Sequence, residues 1–154
     1  MNPNPHRRLV LGGLAVLALP ARALAQAGSA IHVEVWKSPS CGCCKDWIAH
    51  MEKNGFRVTV REQGNTAMRQ RLGIPLALGS CHTALIGRYA IEGHVPAQDV
   101  RRLLRDKPDA IGLAVPGMPV GSPGMDGPAY GGRKDPYDVL LVQADGNTRV
   151  FSHH

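Results

Sequence analysis

The sequence predicts an α/β domain in which a central mixed sheet is flanked by helices, and three observations predict it. Apolar residues alternate with polar ones over residues 31–37 and again over 56–61. Between these runs Cys44, Trp47, Ile48 and Met51 recur at the i, i+3, i+4, i+7 spacing of one helical face, and Asn54-Gly55 closes that pattern. A strand, a helix and a strand in so short a compass make a βαβ unit, with parallel strands and a right-handed crossover.

The first strand, 31–37, sets Ile31, Val33 and Val35 against His32, Glu34 and Trp36. The helix over about 41–54 follows, with Ser40 placed to cap its first turn and Gly55 to end it. Phe56, Val58 and Val60 then alternate with Arg57, Thr59 and Arg61 in a second strand. Residues 65–72 read as a short helix around Met68 and Leu72, ended by Gly73. After the irregular stretch Ile74 to Gly79 and the triplet Ser80-Cys81-His82, Thr83-Ala84-Leu85-Ile86 reads as a buried strand. Gly87-Arg88 suits a two-residue hairpin turn, and Tyr89 to Val95 returns antiparallel. Pro96 fits the first position of a helix running to about Asp106, with Val100, Leu103 and Leu104 inward, and Lys107-Pro108 ends it. The order β-α-β-α-β-β-α is that of a thioredoxin-like fold.

Residues 108–138 differ, holding six prolines and seven glycines with no sustained period. Long ordered loops inside compact domains are usually functional. Val139 to Val142 and Thr148 to Phe151 flank Ala144-Asp145-Gly146-Asn147 as a C-terminal hairpin that needs a core to pack on. The loop is thereby pinned at both ends and is expected to lie over the domain as a lid.

Residues 1–25 are expected to be a leader. Arg7 and Arg8 precede an uncharged run from Leu9 to Leu19, and Ala23-Leu24-Ala25 supplies a small-x-small cleavage pattern. The run is shorter than the roughly 20 residues a permanent span needs, so it implies export to the periplasm and no membrane span in the mature form. The twin arginine also suggests the route that exports folded proteins. The domain is then 26–154, and the formal charge of +6 falls by three, to +3, because Arg7, Arg8 and Arg22 leave and no acid goes with them. The basic residues Arg101, Arg102 and Arg105 lie on an amphipathic helix as a solvated face. Aromatic residues are few, and nothing resembles a stacking platform for bases, which argues against nucleic acid as a partner.

The chemistry concentrates in Trp36-Lys37-Ser38-Pro39-Ser40-Cys41-Gly42-Cys43-Cys44. Three of four cysteines lie at the start of a helix, where unpaired N–H groups and the helix dipole favour thiolates. Cys41 and Cys44 form a Cys-x-x-Cys pair after a strand, the setting of a redox dithiol, and an oxidoreductase using them is one reading. Cys43 complicates it, because a third thiol invites wrong disulfides. Cys81-His82, just before the facing strand, is expected to meet Cys41 and Cys44 across the mouth of the site. Soft thiolates with imidazole and thioether select Cu(I), Zn(II) or an iron–sulfur cluster. Crowding three sulfurs on one turn departs from the separated pairs of structural zinc sites and favours Cu(I) bridged by several thiolates. Met118 and Met125 on the long loop are candidate thioether ligands. His82 and His94 are candidate ligands too, against the plainer reading of histidines that only hydrogen-bond, and the methionines could instead pack on the core. Two structural disulfides are the plainer account of the cysteines; three in one turn are expected to pair among themselves only with strain. His50 is given no role.

The segments Trp36 to Cys44, Ser80-Cys81-His82-Thr83, Glu92-Gly93-His94-Val95-Pro96 and Gly112-Leu113-Ala114-Val115-Pro116-Gly117-Met118-Pro119 closely resemble the family called domain of unknown function 411, which includes a periplasmic copper-resistance protein. The resemblance spans nearly all of residues 26–154. It implies a thioredoxin-like fold, a copper site built from Cys-x-Cys-Cys and Cys-His, and a role in copper handling or copper redox chemistry. The expected partners are copper ions and a periplasmic electron-transfer or copper-transfer protein; a chaperone that only carries the ion is a further reading.

Overall fold

The structure is a computed structural model that describes residues 30–154. The expected leader and its cleavage near Ala25 lie outside the described residues. One mixed sheet of seven strands organises the chain, in the order β2-β1-β3-β4-β5-β6-β7. The strands are β1 (Ile31–Lys37), β2 (Phe56–Arg61), β3 (His82–Ile86), β4 (Tyr89–Glu92), β5 (Gly112–Ala114), β6 (Asp138–Val142) and β7 (Thr148–His153). Three helices accompany them: α1 (Gly42–Lys53), α2 (Thr66–Arg71) and α3 (Ala97–Asp106).

β1 pairs parallel with β2 and antiparallel with β3, so both of its edges are hydrogen-bonded. Val33 and Val35 are buried as the alternation requires, but Trp36 and Lys37 are buried as well. The strand thus sinks into the protein as it approaches the cysteine turn. Cys44, Trp47 and Met51 form the buried face of α1, and the Trp47 indole N–H donates to the Val95 carbonyl at 2.9 Å. That bond joins α1 to the segment following β4. Val100 and Leu103 bury the inner side of α3, in one core with Ile86, Ile91, Leu113 and Leu141. Among the described residues no helix is long and apolar enough to cross a membrane.

The expected lid contains a strand. β5 pairs parallel with β4 and antiparallel with β6, so the C-terminal hairpin extends the sheet instead of lying on the domain's face. Period alone could not reveal a three-residue strand. Its first residue is glycine because a Cβ at Gly112 would overlap the Ala90 carbonyl, and two strands that close leave no space for a side chain. Pro96 sits just outside α3, one residue earlier than expected, a shift within ordinary boundary scatter.

Two local expectations fail. Ser40 does not cap α1: the N-cap is Cys41, without a side-chain cap bond, and the Ser40 hydroxyl meets that of Ser38 at 3.0 Å. Met68 is only half-buried, while Arg69 is the buried residue of α2. The inward position of α2 is one residue beyond Met68, where the buried carboxylate of Glu92 draws in the Arg69 guanidinium.

Candidate metal centre

β1 delivers the chain to the first turn of α1, and the loop before β3 delivers Cys81 to the same place. The Sγ atoms of Cys41, Cys43, Cys44 and Cys81 all lie within 4.8 Å of one another. Cys44 is fully buried by its position on the inner face of α1, whereas Cys41, Cys43 and Cys81 are partly exposed. Cys81 Sγ stands 3.4 Å from Cys44 Sγ and 3.7 Å from Cys43 Sγ. Cys43 Sγ is 3.5 Å from Cys41 Sγ and 3.9 Å from the sulfur of Met118, which is half-exposed.

Cys41 and Cys44 are joined as a disulfide, and Cys43 and Cys81 are free. The turn sets the Cα atoms of Cys41 and Cys44 5.5 Å apart, within the span disulfides ordinarily bridge.

Two histidines reach Cys81, His82 from the start of β3 and His94 from the turn after β4. His94 Nδ1 lies 2.8 Å from the Pro123 carbonyl, and its Nε2 lies 3.1 Å from Cys81 Sγ. A carbonyl only accepts, so Nδ1 carries the hydrogen and the Nε2 lone pair faces the sulfurs. Metal-binding histidines are commonly oriented by such a bond. His94 is fully buried, not a surface residue, and burial lowers its pKa, keeping the ring neutral. His82 Nδ1 lies 3.4 Å from Cys81 Sγ, while its Nε2 is buried with no hydrogen-bond partner. Burial, reinforced by His94, holds its pKa well below the usual histidine value. The Cys81 thiol is pushed up to about 12, first by burial and then by Cys43. A cation that displaces the proton removes that penalty, so metal binding here would be coupled to proton release. The donors fit a soft ion: thiols, one imidazole with its lone pair aimed inward, and a second buried imidazole with an unpartnered nitrogen.

The long loop forms a wall of the site. The Gly121 N–H donates to the Met125 carbonyl at 2.8 Å and the Met125 N–H to the Ser122 carbonyl at 2.7 Å, so the segment is bonded to itself. Gly124 presses on α1 at φ +88°, where a Cβ would fall 2.7 Å from the Cys43 carbonyl oxygen and 2.8 Å from the Trp47 nitrogen. Met118 reaches the thiols, whereas the sulfur of Met125 is engaged by Tyr130. Met125 is buried and its sulfur accepts the Tyr130 hydroxyl at 3.2 Å, so the fold uses it to pack the loop.

Sequence reasoning missed what holds Cys81. Arg69 Nε donates to Glu92 Oε1 at 2.8 Å, and its Nη2 donates to the Ser80 carbonyl at 2.5 Å. The Ser80 N–H donates to the same Glu92 oxygen at 2.7 Å, and Thr83 Oγ1 donates to the other at 2.5 Å. Glu92 is fully buried, and burial raises its pKa although Arg69, Thr83 and Ser80 pull it down. Four groups thus clamp the residue before Cys81 and the residue after His82. Gly93, at φ +71°, makes the turn from Glu92 to His94, where a Cβ would fall 2.5 Å from both the Ser80 hydroxyl and the Val115 carbonyl oxygen. The available signal was Glu92 itself, a lone acid ending the otherwise uncharged strand Tyr89-Ala90-Ile91. Lys37 is also buried, and its ammonium donates to the Ser38 carbonyl at 2.8 Å and to Glu62 at 3.2 Å, fixing the turn before Cys41.

Comparison with known proteins fits this donor set. A family model described as "Protein of unknown function, DUF411" matches residues 78–125, which include Cys81, His82, His94 and Met118. No curated protein sequence matches the chain. Two solved structures, described as copper resistance protein CopG in Form 1 and Form 2, are each 46% identical to it and cover 80% of it. The matches span 97% and 98% of those chains, with TM-scores of 0.74 and 0.73. The chain therefore belongs to the DUF411 family and is a relative of copper resistance protein CopG.

Proposed function

We propose that the protein binds copper as cargo in the periplasm, holding Cu(I) on clustered cysteine thiolates, and that it serves copper resistance with a capacity for copper redox interconversion. One observation carries this reading: four cysteine sulfurs, brought together from α1 and from the start of β3, lie within 4.8 Å of one another. That crowding suits an ion that several thiolates bridge. The relatives' description as copper resistance proteins supports the choice of copper. Cys41, Cys43, Cys44, Cys81 and His94 are the proposed ligands, with His82 and the exposed sulfur of Met118 as secondary ones. The element order through α3 supports a thioredoxin-like fold, and the leader expected over residues 1–25 supports export of a domain formed by 26–154. Its partners would be proteins that deliver or accept copper or electrons.

The closed Cys41–Cys44 disulfide favours a second reading, a thiol–disulfide oxidoreductase in which copper is incidental. Anaerobic titration of the reduced protein with Cu(I), followed by metal analysis and thiol counting, separates the two. More than one copper per chain is expected, with a lower count in Cys43→Ser and Cys81→Ser. A protein that retains no copper yet exchanges disulfides normally after Cys43→Ser overturns the copper reading in favour of the second.

A further inference from the structure

We infer that Cys43 and Cys81 are a second redox dithiol beside the Cys41–Cys44 bond: with Cu(II) as the oxidant, they close a disulfide between α1 and the loop before β3 and pass one electron to each of two ions. The site then holds four reducing equivalents when every cysteine is a thiol, and two when only Cys41–Cys44 is closed. The dithiol stands on the sulfur geometry alone; naming Cu(II) as its oxidant deepens the copper reading above and rests on it.

The chain has four cysteines, and the Cys41–Cys44 disulfide leaves Cys43 and Cys81 as the free ones. Each free thiol therefore has the other as its one thiol partner within the chain. Their Sγ atoms stand 3.7 Å apart. A disulfide needs about 2.05 Å, so each sulfur has about 0.8 Å to travel, a movement that rotation about the side-chain bonds supplies. Cys81 also faces Cys44 Sγ at 3.4 Å, and Cys43 faces Cys41 Sγ at 3.5 Å, but those two sulfurs are already bonded, and pairing with either first breaks Cys41–Cys44. Both free thiols are partly exposed, so an oxidant reaches them from solvent. In the step the two S–H groups give two protons to water and two electrons, one to each Cu(II); the Cys43–Cys81 bond forms and two Cu(I) appear. The new bond fastens the first turn of α1 to the residue that the Glu92 clamp follows from Ser80. Once both disulfides are closed, no cysteine thiolate remains to hold the Cu(I) formed, so the step is a reduction with release. A dithiol reductant reopens the bond and leaves as its own disulfide, restoring Cys43 and Cys81 as thiols.

The test starts from protein in which peptide mapping verifies the Cys41–Cys44 bond and alkylation verifies Cys43 and Cys81 as thiols. It is treated anaerobically with Cu(II) beside a Cu(I)-selective chelator and, in parallel, with diamide, a two-electron oxidant without metal. The readouts are Cu(I) trapped per chain, free thiols, and disulfide mapping by mass spectrometry. Two Cu(I) per chain are expected, with both thiols lost and a Cys43–Cys81 linked peptide after either oxidant; fully reduced protein is expected to yield four. Cys43→Ser, kept dilute to prevent dimers, is expected to reduce Cu(II) at least tenfold more slowly and to form no new internal bond with diamide. Thiols that survive both oxidants, or a new bond mapped to any other pair, overturn the inference, as does a Cys43–Cys81 bond that diamide forms and Cu(II) does not. None of these outcomes touches cargo binding, which Cu(I) titration of the reduced protein reads separately: a chain that binds no Cu(I) yet closes the second bond with both oxidants loses the cargo reading and keeps the second dithiol.

Discussion

Replacing Arg69 with Met probes the clamp on Cys81 most directly. The substitution keeps a long apolar stem but removes the guanidinium that faces Glu92 Oε1 at 2.8 Å and the Ser80 carbonyl at 2.5 Å. Glu92 is fully buried, so its carboxylate stays in the interior with two hydrogen bonds, from Ser80 and Thr83, and no counter-charge. Removing one partner of a buried ion pair costs about 3–5 kcal/mol, most of it the penalty on the charge left behind. Domains of this size have about 5–15 kcal/mol in all, so Arg69→Met should remain folded but with a much lower urea midpoint, read through the fluorescence of the buried Trp36 and Trp47. The sign of the pH dependence follows from Glu92. Its folded pKa is already raised by burial, so its contribution is fully present below the ordinary carboxylate range and lost as pH rises through the folded value. Without Arg69 the folded value climbs further, so the variant should lose stability over a wider pH window than the parent. Because Ser80 precedes Cys81, a bifunctional thiol reagent that bridges Cys43 and Cys81 in the parent should bridge them poorly in the variant. A loss below about 1 kcal/mol at neutral pH, with bridging unchanged, would refute the idea that this pair positions the cysteine.

Gly124→Ala places a methyl against the Cys43 carbonyl and the Trp47 nitrogen at a φ of +88°; the left-handed backbone alone costs about 1–2 kcal/mol, so thermal unfolding should shift down and alkylation of Cys43 should quicken as the loop lifts from α1. His50, without a role in the sequence, accepts the Ala97 N–H at 3.1 Å through Nε2 and so satisfies a donor at the start of α3. Its pKa is lowered, chiefly by burial, so its contribution is present above the ordinary histidine pKa of about 6.5 and lost as pH falls through the folded value. His50→Gln keeps an acceptor that does not titrate near neutrality, and urea midpoints measured from pH 8 to pH 5 should fall less steeply in the variant; equal slopes would show that His50 does not carry the effect.

The strands and helices that follow a period were legible because burial on one face imposes that period. β1, α1 and β2 appear where Ile31, Val33, Val35, Trp47, Met51 and Phe56 demand them. β5 was not legible, since three residues cannot display an alternation and their place is set by pairing with β4 and β6. The thiol cluster was foreseeable from Cys41, Cys43 and Cys44 on one turn together with Cys81 ahead of a facing strand. The pairing of Cys41 with Cys44 is the one the Cys-x-x-Cys spacing offered as a redox dithiol, although spacing alone left it beside the reading of four free thiols. Met118 and Met125 look alike in sequence, each between small or polar loop residues; only the loop's own hydrogen bonds send one to the thiols and the other to Tyr130. His94 gained its place from Pro123, a residue 29 positions away, and no local pattern encodes such a contact.

Electrostatics explains why these sulfurs need company. Four thiolates within 4.8 Å of one another cannot all be charged, since like charges at that range oppose each other strongly in a partly buried site. The fold shows two escapes at once: Cys41 and Cys44 share a bond in place of two charges, and Cys81, pushed up to about 12 by burial and by Cys43, keeps its proton. Cations bound among the sulfurs are a third escape, and the only one that lets all four be thiolates together. Buried cations of the described residues are committed elsewhere: Arg69 is engaged with Glu92 and the Ser80 carbonyl, Lys37 with Ser38 and Glu62, and burial keeps His82 and His94 neutral. With these charges committed, a state in which all four sulfurs are thiolates together would need cations bound among them, and that is the state the proposed copper reading describes.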